Sequence, residues 1–265
     1  NSFIFTNELL GKVGKMIKKK IRAHHALYST PCQGLNWEDI LAQVLKALGF
    51  PTDWKPTRSH QIGKDMEIKD KKNGRISCKS GQTWFDEKQE KEYVKWSGSR
   101  TGKQKSIEDK IEFLDKDKDD LYFLLSKPKN YVKGNPYTLL VFPSSICKVR
   151  LLKWVRKETK KKGYDCYILT ELTKFCKKRG LVQRGKKGGV IDRLNEWDDS
   201  NEPDDIHKNM LIKEEVEKQK DSPTSWEGTG DFKADIQSTS TCGELWVTFP
   251  LDKIPFRYEI ANYLP

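Results

Sequence analysis

Apolar residues recur at helical spacing twice near the start of the chain. Between residues 7 and 28, Leu9, Leu10, Val13, Met16, Ile17 and Ile21 fall on one side of a helix, with Lys18, Lys19 and Lys20 between them. This predicts a basic amphipathic helix that either packs with its charged face in water or turns that face to DNA. In Leu35–Phe50, Trp37, Ile40, Leu41, Val44 and Leu48 share a face, so a second helix is predicted over about 37–48. Asn36 is its expected N-cap, Leu35 the expected staple onto Ile40, and Gly49 the expected stop.

The period then changes. Beyond Pro51 and Pro56, Met66 and Ile68 alternate with polar residues, Lys72-Asn73-Gly74 follows, and Ile76 and Cys78 resume the alternation, which predicts a β-hairpin turning at Asn73-Gly74. Polar residues 86–118 read as partly helical, with a flexible stretch over 97–104. The apolar runs LYFLLS (121–126) and YTLLVFP (137–143) read as buried strands. A mixed α/β domain over residues 1–155 is the result. Residues 164–198 carry two short amphipathic helices around a Gly-rich basic loop, and 199–230, rich in Asp, Asn, Glu, Ser and Pro, read as a linker or exposed loop. The segment 231–265 holds one more strand, expected to return to the main domain.

With 265 residues and 35% apolar content the chain can bury one good core and a small second one. Charge narrows the partner. Fifty basic and thirty-eight acidic residues leave +12, and residues 153–197 alone, with 14 Lys/Arg against 5 Asp/Glu, hold nine of those charges. So local an excess points to a polyanion, nucleic acid first. The six cysteines (Cys32, Cys78, Cys147, Cys166, Cys176, Cys242) form no CxxC pair and no zinc-type cluster, so reduced thiols in an intracellular protein are expected. No apolar run approaches eighteen residues, and the opening NSFIFTNELL lacks the features of a signal peptide. The expectation is a soluble, cytoplasmic protein with no membrane partner.

Candidate chemistry sits on the hairpin. Alternation puts Asp65 and Glu67 on one face of the first strand and Ser77 and Lys79 on one face of the second, so carboxylate and ammonium converge across it. Hard carboxylate oxygens suit Mg²⁺, which activates water and polarises a phosphate, while a nearby ammonium orients that water or stabilises developing negative charge. Cys78 points the other way and reads as core. A cysteine nucleophile would need a histidine partner, and His24, His25, His60 and His207 form no such pattern. An Asp and a Lys on an exposed hairpin are also compatible with mere solvated charges.

Trp37-Glu38 with Leu45, Leu48, Gly49 and Phe50, then Gly63-Lys64-Asp65, then Ser77-Cys78-Lys79, resemble the helix, GxD strand and (E/Q)xK strand of the PD-(D/E)XK nucleases, the Mrr-type restriction endonucleases in particular. The resemblance implies an α/β fold with a central mixed sheet flanked by helices. It implies Asp65 as a Mg²⁺ ligand, Lys79 as the catalytic lysine and Glu38 as the helix carboxylate supporting the site. Ser77 departs from the family, standing where an acid or glutamine is usual. Glu67 is then the nearest replacement ligand, with Glu87, Glu90 and Glu92 as alternatives.

A second resemblance covers about thirty residues. Leu169, Leu172, Cys176, Gly180-Leu181, Gly185-Lys186-Lys187, Ile191 and Arg193-Leu194 are similar to the SAP domain, a small helical DNA-binding insert. It implies contacts to duplex phosphate from Lys178, Arg184, Lys186, Lys187 and Arg193. Independently of the family, helix starts favour anions.

These features predict a type II restriction endonuclease, a homodimer that cuts double-stranded DNA with Mg²⁺. One alternative is a repair, structure-specific or modification-dependent nuclease, with Trp84, Trp96 and Trp226 as candidates for a base-reading cage. Another is a non-catalytic DNA-binding protein in which Ser77 is a relic of a lost site. Base readout is expected around 97–105 and beyond 225.

Overall fold

The computed structural model describes residues 5–55, 65–72, 74–101, 121–143, 163–201, 233–238 and 243–264. It is a mixed α/β structure in which β3 (Lys91–Thr101), β2 (Arg75–Asp86), β4 (Leu121–Pro128), β5 (Tyr137–Pro143) and β8 (Phe256–Ile260) lie side by side in that order, with a short β1 (Met66–Glu67) beside β2. The chain divides into two compact units. The first comprises residues 1–97, 116–149 and 248–265, and the second 98–115 and 150–247.

Two helices open the first unit. In α1 (Asn7–Leu27), Leu10, Val13, Ile17 and Ile21 are buried as their spacing requires, and the Thr6 hydroxyl caps the start by accepting the Leu9 N–H. Gly14 lies where a Cβ would sit 2.5 Å from the Tyr258 ring, so a glycine is needed for the helix to approach β8 (Phe256–Ile260) this closely. In α2 (Leu35–Ala47), Trp37, Ile40, Leu41, Val44 and Leu45 are buried. The helix starts earlier than predicted, with Gly34 rather than Asn36 at the N-cap, and Leu35 is exposed instead of stapled onto Ile40. It closes as expected, the Phe50 N–H returning to the Leu45 carbonyl at 2.8 Å.

β1 (Met66–Glu67) and β2 (Arg75–Asp86) form the predicted antiparallel hairpin, with Met66 opposite Ile76 and Glu67 opposite Arg75. Asn73 lies outside the described residues. The expected partial helix beyond residue 86 is a strand where it is described. β2 runs to Asp86, Glu87–Glu90 turn, and β3 (Lys91–Thr101) pairs back with Gly81 opposite Trp96 and Asp86 opposite Lys91. Tyr93, Val94 and Trp96 are buried there, so cross-strand pairing and burial outweigh the polar local composition. Residues 97–101, expected to be flexible, belong to this strand, and 102–120 lie outside the described residues.

β4 (Leu121–Pro128) lies parallel to β2 and antiparallel to β5 (Tyr137–Pro143), and residues 121–126 and 137–142 are buried as predicted. β5 pairs antiparallel with β8. Where one strand was expected, 231–265 holds three described strands, β6 (Lys233–Ser238), β7 (Gly243–Pro250) and β8, the last two broken by a 3-10 turn over Leu251–Lys253 beside Pro250 and Pro255. One core fills the space between sheet and helices. Met66, Ile76, Cys78, Phe123, Leu139 and Val141 join the apolar faces of α1 and α2 in it.

The second unit contains a 3-10 turn (Gly163–Cys166), α3 (Leu169–Lys178), α4 (Lys187–Ser200) and β6 (Lys233–Ser238). The two helices are those expected. Gly180 adopts φ +70, a left-handed conformation costly for other residues, and lets the Leu181 N–H bond the Cys176 carbonyl at 2.8 Å. Leu172, Cys176, Val190 and Leu194 form the small core between them. Cys32, Cys78, Cys166 and Cys176 are free and buried, whereas Cys147 and Cys242 lie outside the described residues. Among the described residues no helix is long and apolar enough to cross a membrane.

Candidate active site

The hairpin brings Asp65, Ser77 and Lys79 together. The Asp65 N–H bonds the Ile76 carbonyl at 3.0 Å, which holds Asp65, just before β1, against β2 where Met66 stands opposite Ile76. Met66, Ile76 and Cys78 face the core with α1 and α2. Ser77 and Lys79, which alternate with them on β2, take the opposite face, and the Asp65 carboxylate meets both.

All hydrogen bonds that Asp65 accepts among the described residues land on Oδ2. The Cys78 N–H donates at 2.6 Å, the Ser77 hydroxyl donates at 3.2 Å, and Lys79 Nζ lies 3.7 Å away. Ser77 is buried, while the Asp65 and Lys79 side chains are about one-quarter exposed. Ser77 thus orients the aspartate rather than offering a ligand. Among the described residues no hydrogen bond reaches Oδ1.

Glu38 Oε2 accepts the Trp54 indole N–H at 3.2 Å. Glu67 is flanked by residues 51–53: its backbone N–H donates to Asp53 Oδ1 at 2.6 Å, and its carbonyl accepts the Asp53 N–H at 3.0 Å. Glu87 and Glu90 lie in the β2–β3 turn and Glu92 on β3, where it meets Arg257 Nη1 at 2.6 Å, so none sits on a helix as expected. Among the described residues no three His, Cys, Asp or Glu side chains gather closely enough to hold one ion. Glu38 and Glu67 therefore do not complete a described three-carboxylate cluster with Asp65. Asp65 still fits Mg²⁺ in the minimal form this ion accepts, one carboxylate with water and substrate phosphate supplying the rest. Gly63, Lys64 and His60 lie outside the described residues.

The basic residues expected at phosphate in the second unit divide into two groups. Lys178, Arg184 and Lys186 are exposed. Arg193 and Lys187 are turned to the protein instead. Arg193 donates from Nε to the Val182 carbonyl at 3.1 Å and from Nη2 to the Arg184 carbonyl at 2.7 Å, tying the loop to α4. Lys187 Nζ donates to the Asp165 carbonyl at 2.9 Å, and burial lowers its pKa. The acceptor for Lys187 lies in the 3-10 turn before α3, and those for Arg193 lie in the loop between α3 and α4.

Arg179 was not flagged by its spacing. Its side chain, 6% exposed, joins Asp198 at 3.1 Å and the Tyr164 hydroxyl at 2.8 Å and stacks 4.7 Å from the Trp197 ring. Tyr164 in turn donates to Asp198 at 2.5 Å. A buried polar network in the first unit was equally hidden. His25 Nδ1 faces the Tyr28 carbonyl at 3.1 Å and must donate, so Nε2 accepts from Tyr137 and Tyr131 at 2.9 and 3.1 Å. Tyr137 accepts the Cys32 N–H, and Tyr263 accepts the Gly134 N–H and donates to Tyr131. Burial lowers the His25 pKa and pushes that of Tyr137 up to about 12. Residues 25, 32, 131, 137 and 263 carry no short-range signal that could have found this.

Trp96 is buried in the first unit, Trp84 is half-buried and stacks on Tyr93, and Trp226 lies outside the described residues. Comparison with protein-family models, curated proteins and solved structures finds no match to this chain.

Proposed function

We propose that this chain is a Mg²⁺-dependent endonuclease of double-stranded DNA, of the PD-(D/E)XK type and acting as a type II restriction enzyme. One observation carries the reading: Asp65 and Lys79 meet on one face of a β1–β2 hairpin, with Ser77 and the Cys78 N–H fixing the carboxylate. The resemblance described above requires that same pair. The basic surface of the second unit, with Arg184 and Lys186 exposed, supplies affinity for phosphate rather than sequence choice.

In this reading Asp65 would hold the metal, with Ser77 and the Cys78 N–H fixing its carboxylate. When bound, Mg²⁺ supplies polarisation of the scissile phosphate and acidification of a water. Lys79 is within reach of the same carboxylate, so its ammonium orients the attacking water or offsets charge on the phosphate as the phosphodiester bond breaks. Ser77 acts through Asp65 as a positioning residue. Homodimeric assembly on a two-fold symmetric site and a cytoplasmic location complete the proposal.

Plasmid DNA incubated with Mg²⁺ or with EDTA tests it. Discrete fragments with Mg²⁺, absent with EDTA and absent for Lys79→Ala while DNA binding persists, are expected. Random nicking would move the reading to a repair nuclease. Binding without cleavage would favour the non-catalytic DNA-binding protein, to which the thin set of carboxylates around Asp65 also lends support.

A further inference from the structure

The net charge of the protein is concentrated in two places. Residues 153–197 hold nine positive charges in excess, and α1 holds five, with six Lys/Arg against the single acid Glu8. Set against a total of +12, the rest of the chain is two charges negative. The first of these places has been assigned above. The second lies on the unit that carries Asp65 and Lys79.

Within α1 the cations are sorted by direction. At about 100° per residue, Lys12, Lys15, Lys19 and Arg22 fall within roughly an 80° arc, and Lys19 points directly away from the buried stripe of Leu10, Val13, Ile17 and Ile21. All four are exposed. Lys12 is engaged by Glu8 at 2.8 Å, and Lys20, on the flank, donates to Gln43 of α2 at 2.7 Å. Among the described residues no acidic side chain pairs with Lys15, Lys19 or Arg22. A solubilising surface intersperses both signs. This one does not.

The stripe is also rigidly mounted. Four apolar residues of α1 are fully buried in the core, and Gly14 lets the helix sit directly on the Tyr258 ring. Lys15 and Arg22 are seven residues apart, about 10 Å along the axis at 1.5 Å per residue. A 10 Å length of duplex axis carries about six phosphates, so three fixed cations on this spacing each find a partner.

We propose that the solvent face of α1, through Lys15, Lys19 and Arg22, is a second duplex-phosphate surface, separate from the SAP-like loop and belonging to the unit with the candidate active site. The proposal rests on the DNA reading of that site. It assigns the face to clamping the backbone, with no part in choosing sequence.

The test compares the parent chain, Lys15→Ala/Lys19→Ala/Arg22→Ala, and a control, Lys129→Ala/Lys133→Ala, which removes exposed charge from the β4–β5 connection. Alanine keeps the helix. Binding to a short labelled duplex in EDTA is titrated over a range of salt. The triple variant should lower the slope of log K against log salt by about 2.7, at 0.9 per lost contact, with the control unchanged. An unchanged slope for the triple variant overturns the surface while leaving the nuclease reading intact if the parent cleaves. A lowered slope in a parent that never cleaves with Mg²⁺ keeps the surface and sinks the nuclease. A parent that does not bind duplex at all removes both. Equal loss per charge in the control means a diffuse field and no surface. Loss of binding to phosphatidylserine-containing vesicles with DNA binding unaltered would make α1 a membrane-facing element and overturn the proposal.

Discussion

Asp65→Asn separates chemistry from architecture at the candidate site. The aspartate does two things: it anchors the hairpin through Oδ2, and it presents negative charge beside Lys79. Asparagine with its amide oxygen in the Oδ2 position keeps both hydrogen bonds and loses only their charge assistance. Bonds to a charged acceptor contribute about 1.5–3 kcal/mol against 0.5–1.5 for neutral ones, so the two together lose about 2 kcal/mol. The ion pair adds less than about 1 kcal/mol, because both partners are one-quarter exposed. The melting temperature should then fall by about 4–8 °C, with the chain folded at 25 °C. Cleavage should fall much further, at least about 100-fold or 2.7 kcal/mol in the barrier, because the charge that would hold a divalent ion is gone. Single-turnover cleavage of plasmid in Mg²⁺ at 25 °C, alongside thermal melts, measures both. A variant that cleaves within about threefold of the parent would reduce Asp65 to a structural clasp.

Ser77→Ala removes one neutral donor from a buried position and should cost about 1 kcal/mol in stability while cleavage stays within about tenfold of the parent; an inactive but folded variant would make the hydroxyl part of the chemistry. Because burial depresses the His25 pKa, the folded chain takes up fewer protons than the unfolded one, so His25 favours folding above about pH 6.5, its unfolded value. That contribution is lost as pH falls through the window below 6.5. Urea melts from pH 7.5 down to 5 should show a smaller decline for His25→Gln than for the parent, and parallel curves would exclude His25 as the origin. Arg179→Met strands the Asp198 carboxylate in a buried site and should destabilise the second unit by about 3–5 kcal/mol, with Arg179→Lys intermediate. Limited proteolysis within residues 163–201 reports it, and a digestion pattern identical to the parent's would contradict the assignment.

Local chemistry alone was enough to determine several features. The apolar stripes of α1 and α2, the buried runs of β4 and β5, the β1–β2 hairpin and the helix pair around Gly180 all follow from spacing and turn residues that act over a few positions. The convergence of Asp65 with Ser77 and Lys79 was visible for the same reason, since alternation on paired strands dictates which side chains share a face. Tertiary structure decided what local patterns cannot. Lys91–Thr101 is a strand because β2 extends far enough to pair with it, a fact carried by the partner and not by the segment's own polar sequence. Which cations face outward was settled by the fold, since carbonyls at Asp165, Val182 and Arg184 accept from Lys187 and Arg193, while Lys178, Arg184 and Lys186 are exposed. Single hydrogen bonds of the His25 network link residues up to 132 positions apart, and Glu38 meets Trp54 only once α2 and the segment after it are folded. Such contacts depend on where distant backbone lies, and the residue types that make them are ordinary until the fold brings them together.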